Sequence, residues 1–216
     1  DFRYRSYETD VFSGLSSVMA QYFSCQRAAQ RLPVDLASAL SSGTGHPDLL
    51  AWLGMLLARS AGLSASCVRF FGIHLLTVDD GECQVFFDPG EMFVTLDDQG
   101  LRKLYQNLTG DDRVIDPDID IVFVDDRSML VHLLRLAKNR SMKREEFGVA
   151  MKLLERMCCL APEAQEVHLE RGLELGRSGQ ISRAILQVSD LIEFCDDPSI
   201  RHEAQSALRR LRSMLN

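Results

Sequence analysis

The stretch that decides the fold is residues 45–90, GHPDLLAWLGMLLARSAGLSASCVRFFGIHLLTVDDGECQVFFDPG. Its first part predicts a helix, because leucines recur at spacings of three and four between positions 49 and 57. Pro47 suits the first helical turn, where its missing N–H costs nothing, and Gly62 suits the stop. Beyond Gly62 the chain becomes rich in β-branched and aromatic residues, which favour strands.

Extended structure is predicted for the second part of this stretch and just beyond it. We expect one strand over residues 67–78, a second over 84–88 and a third over 92–96. Turn residues at 79–81 and 89–90 separate them, so the pattern indicates a small antiparallel meander. Three further helices are predicted in this half of the chain: Ala20–Ala29, Asp35–Leu40 and Asp98–Leu108.

From Ser128 onward the pattern is helical. Ala150 and Ala184 are separated by the period of tetratricopeptide hairpins, which is about 34 residues. The predicted elements are hairpins over 131–164 and 165–198 and a closing helix over 200–215. The second hairpin follows the repeat pattern more closely, because it has Gly172 at a small position where the first has Lys138.

These patterns predict an α+β protein with two domains. Residues 1–127 form the first domain, a helix packed on a small antiparallel sheet, and residues 128–216 form an all-helical tail. The acidic stretch 111–126 is predicted to be a mostly irregular joint between them, with a short apolar run at 119–124. The chain begins at Asp1 rather than at a methionine, which is compatible with a missing upstream segment.

Composition and charge narrow the class of function. The net charge is −7, and residues 1–125 carry 9 Lys/Arg against 18 Asp/Glu, which argues against a nucleic-acid partner. No leader is recognisable and no apolar run is long enough to cross a bilayer, so we expect no membrane span and a cytoplasmic protein. Six scattered cysteines without a Cys-x-x-Cys pair fit a reducing compartment and predict no metal site. No phosphate loop is present, so no cofactor is expected.

Three features of residues 45–90 stand in the order of a thiol catalytic site. Gly45-His46-Pro47-Asp48 opens the helix, His74 lies in the first predicted strand, and Asp88 ends the second. In such a site a helix N-terminus and an imidazole stabilise a thiolate, and a carboxylate holds the imidazole in one tautomer. A strand histidine and an aspartate before Pro-Gly are also ordinary structural residues, and that alternative stays open.

This order of residues resembles the transglutaminase-like superfamily. There Gly-x-Cys opens a helix, a histidine follows on a strand, and an aspartate ends the next strand before proline. The resemblance implies that Pro47 stands where the nucleophilic cysteine would be, and that His74 and Asp88 are vestigial site residues. Proline has neither a nucleophile nor a proton to give, so thiol catalysis through that position is excluded if the match is right.

The sequence offers few residues that could replace the nucleophile. Cys67 lies seven positions before His74, and on one regular strand that odd spacing places the two on opposite faces. Ser41, Ser42 and Thr44 precede the helix and are interpreted as loop or capping residues. Asp48 is interpreted as a charge that complements the helix N-terminus, which is also a structural role.

A transglutaminase-like domain followed by a short tetratricopeptide tail is similar to the bacterial SirB-like family. The likeness rests on residues 45–63, 80–88 and 150–198, where Phe194-Cys-Asp-Asp-Pro198 ends the second hairpin. It implies that the catalytic cysteine is often absent and that an additional helical segment usually comes first. The family name points to regulation of bacterial invasion genes and specifies no molecular activity.

Three functions follow as hypotheses. The first is a non-catalytic interaction or regulatory module, because Pro47 replaces the nucleophile and His74 and Asp88 are kept. The second is a hydrolase or acyltransferase with a relocated nucleophile that uses His74 and Asp88. The third is an adaptor whose helical tail binds a peptide. A protein or peptide partner is expected, and the oligomeric state stays open.

Overall fold

The structure is a computed structural model that describes residues 10–23 and 32–214. The chain divides into two compact units, Asp1–Met129 and Leu130–Asn216. The division falls inside one long helix, Asp126–Lys143. The first unit contains the sheet, and the second is helical.

The described residues form helices and strands in the following order: α1 (Asp10–Tyr22), α2 (Leu36–Ser42), α3 (Pro47–Ser60), β1 (Ser64–Phe70), β2 (Ile73–Asp79), β3 (Gln84–Asp88), β4 (Val94–Leu96), α4 (Asp98–Thr109), α5 (Pro117–Asp120), β5 (Ile121–Val124), α6 (Asp126–Lys143), α7 (Phe147–Leu160), α8 (Gln165–Arg177), α9 (Ile181–Phe194) and α10 (Pro198–Ser213). Among these helices, none has both the length and the apolar content that crossing a bilayer requires.

The described strands pair antiparallel in the order β4-β3-β2-β1-β5, which confirms the predicted small antiparallel sheet. The prediction of one strand over 67–78 is wrong. Phe71 and Gly72 have φ values of 41° and 85° and turn the chain back, so β1 and β2 form a hairpin. The stretch 111–126 is less irregular than predicted, because its apolar run forms β5 at the edge beside β1.

Two predicted helices of the first unit are confirmed, and one was misplaced. Helix α2 begins after Asp35, whose carboxylate accepts a hydrogen bond from the Ser38 N–H at 2.8 Å, and α4 lies within one residue of its prediction. The predicted start at Ala20 is wrong, because α1 ends at Tyr22. Residues 24–29 of that prediction lie outside the described residues.

Helix α3 begins at Pro47 as predicted, but its buried face differs from the leucine stripe. Leu56 and Leu57 are exposed. A Cβ on Gly54 would lie 2.9 Å from both Leu76 Cδ2 and Phe93 Cε1, so a larger residue there would displace these side chains. Gly54 therefore lets α3 lie close to β2, while Leu49 and Leu50 are buried and Leu56 and Leu57 lie on the outer side of the helix.

The second unit repeats its helices and turns at a regular spacing. Helices α7 and α9 begin at Phe147 and Ile181, and Ala150 and Ala184 occupy equivalent buried positions in them. In the turns before these helices, Glu145 and Gly179 both have positive φ, of 60° and 81°. The next backbone N–H in each turn donates to the carbonyl five residues earlier, at 2.9 Å. One turn geometry thus joins both pairs of helices.

Close packing in the second unit explains one of the small residues picked out in the sequence. A Cβ on Gly172 would lie 2.6 Å from Val188 Cγ2, so glycine lets α8 approach α9. At the equivalent position of the first pair, Lys138 is buried and its ammonium group pairs with Glu170. The assignment of these helices to the tetratricopeptide class stays a prediction.

Glu145→Gly is expected to raise the free energy of unfolding by about 0.5–1 kcal/mol, because glycine adopts positive φ without the steric cost that a Cβ brings. Urea unfolding followed by circular dichroism measures this change. Gly179→Ala is the matched control and should lower the free energy of unfolding by a similar amount. A loss of stability in Glu145→Gly would show that the two turns differ.

Candidate functional site

A buried polar contact joins the first turn of α3 to β2. The Nδ1 atom of His74 lies 3.2 Å from Oδ1 of Asp48. The two residues are 6% and 7% exposed, so both polar groups have given up most of their water. A carboxylate in this position is stable only where a polar partner offsets the lost hydration, and the imidazole is such a partner.

The start of α3 places Asp48 at this point. His46 is the N-cap residue, and its Nδ1 accepts a hydrogen bond from the Asp48 N–H at 3.3 Å. An accepting Nδ1 puts the proton of a neutral imidazole on Nε2. Pro47 is the first helical residue and is buried. The Asp48 carboxylate therefore has an imidazole on each side, His74 at 3.2 Å and His46 at 3.6 Å.

The expectation that Asp48 only complements the helix N-terminus is therefore incomplete. Its carboxylate crosses from the helix to the sheet and contacts the histidine that the sequence singled out. Sequence reasoning missed this because acidic residues are common in first helical turns for electrostatic reasons alone. The one available signal in the sequence was the position of Asp48 directly after Pro47, which places it at the helix start where the candidate site was predicted.

Asp88, the other predicted site residue, is 1% exposed at the end of β3. Its Oδ1 accepts a hydrogen bond from the Gly90 N–H at 2.8 Å, and its carbonyl accepts one from the Phe93 N–H at 2.9 Å. Asp88 thus organises the turn between β3 and β4, as the Asp-Pro-Gly sequence indicates. Its pairing with His74 stays a prediction.

Cys67 lies on the same face of the sheet as His74, so the prediction of opposite faces was wrong. The hairpin turn between β1 and β2 places Cys67 opposite Leu76, and Leu76 shares its face with His74 two residues away. The thiol is fully buried. Burial raises its pKa to about 12, the carboxylates of Asp126 and Asp48 add to the rise, and Arg59 opposes it. Cys67 is therefore a protonated thiol at neutral pH.

The region of the chain that contains these residues matches a known protein family. The model of the transglutaminase-like superfamily matches residues 5–135, which is more than half of the chain. The chain belongs to the transglutaminase-like superfamily. No curated protein and no solved structure matches it significantly.

In this transglutaminase-like protein, the matched region includes α3, β2 and β3 and therefore all the candidate site residues. The arrangement places the His74 imidazole next to the Asp48 carboxylate inside the core. It offers no thiol at the start of α3, because the first residue of the helix is proline. Imidazole and carboxylate are also metal-ligand types, so the expected absence of a metal stays a prediction.

The helical unit adds two surface grooves. The first, which we call the three-helix groove, has a volume of about 320 Å³ and lies among α6, α8 and α10. Two of its carboxylates pair with its own cations, since Lys138 binds Glu170 and Arg177 binds Glu174. Its lining residues are Lys138, Glu166, Leu169, Glu170, Leu173, Glu174, Arg177, Ile200 and Glu203.

The second groove, which we call the acidic groove, has a volume of about 430 Å³. It lies between the start of α8 and the last turns of α9. Its lining residues are Pro162, Glu163, Gln165, His168, Gln187, Asp190, Leu191, Phe194 and Asp196. Among these described residues there are three carboxylates and no lysine or arginine, so its charge differs from that of the three-helix groove.

Asp48→Ala is expected to lower the free energy of unfolding by about 2–4 kcal/mol, because it leaves a buried imidazole without the carboxylate that contacts it. Asp98→Ala is the matched control. Asp98 is an exposed acid in the first turn of α4, where only the helix-end effect of about 0.5 kcal/mol is lost. Urea unfolding measures the free energy of unfolding of both variants. An equal loss in the two would show that Asp48 acts only through the helix N-terminus.

Proposed function

We propose that this transglutaminase-like protein is non-catalytic and serves as an interaction or regulatory module. One observation carries the proposal: the first residue of α3 is a buried proline, next to the contact between Asp48 and His74. Thiol acyl transfer in a site of the transglutaminase-like pattern uses a sulfur at a helix N-terminus, where the helix dipole and an imidazole stabilise the thiolate. Pro47 supplies no nucleophile, so no acyl intermediate can form on it.

A relocated nucleophile is the competing hypothesis, and the state of Cys67 argues against it. Cys67 is on the correct face for His74 but is fully buried, and its pKa of about 12 keeps it protonated. A thiol in that state reacts poorly, because the thiolate is the attacking species. The carboxylate next to His74 then acts to hold α3 on the sheet rather than to activate a sulfur.

The proposal also includes membership of a narrower family and a location in the cell. Membership of the SirB-like family, with its bacterial and regulatory associations, is supported by the combination of a matched transglutaminase-like region and a helical unit with regularly spaced turns. A cytoplasmic location is supported by the free thiols Cys67, Cys158 and Cys195, which are all buried.

A peptide-binding adaptor is the second candidate function. The repeated turns of the second unit support it, as do its two grooves, since both are open to a chain segment. The adaptor function is compatible with a non-catalytic first unit, because the binding surface and the vestigial site belong to different units.

Incubation with p-nitrophenyl acetate, followed by mass spectrometry of the tryptic peptides, tests the non-catalytic proposal. We expect no acetylation of the wild-type protein that depends on His74. The absence of a nucleophile at the start of α3 is the reason. Acetylation of Cys67, or of any serine, that disappears in His74→Ala would contradict the proposal.

Pro47→Cys is the matched positive control for this experiment. It introduces a thiol at the helix N-terminus, one residue from the carboxylate that contacts His74. The helix N-terminus favours the thiolate of the introduced cysteine, so it should be acetylated faster than the buried Cys67, whose pKa is about 12. The same substitution combined with His74→Ala should lose most of that advantage.

A further inference from the structure

The acidic groove is negatively charged, although the helical unit that contains it has a small net positive charge. Residues 130–216 carry 14 Lys/Arg and 12 Asp/Glu, a small positive excess. The groove nevertheless presents Glu163, Asp190 and Asp196 and, among its described lining residues, no lysine or arginine. Asp190 and Asp196 are exposed and form no ion pair with any described residue. The groove therefore has an electrostatic preference for a cation.

An exposed aromatic ring gives the same groove an apolar wall. Phe194 is 78% exposed in the last turn of α9, whereas Leu191 on the same helix is buried. Pro162 adds apolar surface on the opposite side. A phenyl ring left in water beside carboxylates is a good contact for the stem and head of an arginine or lysine, through apolar packing and cation–π attraction.

Hydrogen bonds hold two glutamine side chains at the edge of the groove and leave their amide NH₂ groups available as donors. The amide oxygen of Gln187 accepts a hydrogen bond from Arg171 at 2.8 Å, and that of Gln165 accepts one from the Asp197 N–H at 3.3 Å. In this assignment the amide NH₂ groups of both glutamines can donate to carbonyl groups of a bound chain. His168 Nε2 lies 2.9 Å from the Pro162 carbonyl, which fixes its ring.

From this combination we propose that the acidic groove binds a basic segment of a partner protein, in which an arginine or lysine stands next to an apolar residue. The cation lies between Asp190 and Asp196 and against the Phe194 ring, and the apolar residue covers Leu191. The proposal rests on the role of the chain as an interaction protein and names the chemistry of its partner. The three-helix groove fits such a segment less well, because two of its four acids already pair with Lys138 and Arg177, which also line it.

A fluorescein-labelled peptide with two arginines flanking a leucine is the probe, and fluorescence anisotropy with the full chain is the measurement. We expect saturable binding with a Kd of about 10⁻⁴ M, as for a short segment with a small interface. The same peptide with glutamine in place of both arginines should bind at least about 10-fold more weakly. Raising the salt concentration should weaken binding of the basic peptide.

Two groove variants test where the peptide binds. The double substitution Asp190→Asn and Asp196→Asn should weaken binding about 5-fold or more, and Phe194→Ala by a similar factor. Glu193→Gln is the matched control, because Glu193 is an exposed acid on the same helix that does not line the groove. It should change the Kd by less than about 2-fold.

Several outcomes would overturn the proposal. They are the absence of saturable binding, equal binding of the glutamine peptide, and equal losses in the groove variants and in Glu193→Gln. Sedimentation velocity measures the oligomeric state and tests a different occupant. A dimer that dissociates in the Phe194→Ala variant would show that a second copy of this chain occupies the groove. The peptide-binding results do not affect the outcome of the acetylation experiment. The non-catalytic proposal is therefore tested independently of the groove proposal.

Discussion

The contact between the Asp48 carboxylate and the His74 imidazole is the constraint on which the first unit depends. It ties the N-terminus of α3 to β2 at 3.2 Å, inside a core where neither group has much water. Either group alone would carry an uncompensated desolvation cost. Close approach of the helix is possible because Gly54 has no side chain to meet Leu76 and Phe93. The polar contact and the small residue together set the position of the helix on the sheet.

The same contact shows that residue types suited to catalysis can also serve packing. A transglutaminase-like site needs a helix start, an imidazole and a carboxylate near one another, and these are also good packing elements. With Pro47 at the first helical position, the helix start keeps its geometry and has no sulfur. His74 remains buried with a carboxylate from the helix itself. An imidazole and a carboxylate in this position therefore contribute to the packing of α3 on the sheet.

The second unit follows a different principle, in which one turn is used twice. Glu145 and Gly179 adopt the same left-handed conformation at equivalent points of the two helix pairs, although only glycine does so without strain. Repetition of the turn aligns the helices so that small residues face larger ones, as Gly172 faces Val188. The two grooves differ in charge, because two of the acids in the three-helix groove pair with its own cations and the acidic groove is lined by no lysine or arginine among its described residues.

The sequence by itself determined the elements that local rules govern. These include the start of α3 at Pro47, the antiparallel sheet, the regular spacing of Ala150 and Ala184, and the position of Asp88 at the end of a strand. Helical periodicity and turn formation depend on residues that are close together in the sequence, so the sequence alone predicts them. The family match over residues 5–135 agrees with the resemblance found there.

Only the tertiary structure decided which side chains meet. The hairpin turn at Phe71-Gly72 put Cys67 on the face of His74, whereas an unbroken strand would have separated them. Packing of α3 on β2 gave His74 the carboxylate of Asp48, a residue of another element, as a neighbour. Such contacts depend on how far apart two elements pack and on how their faces are turned. Neither quantity is encoded in the local pattern of either element.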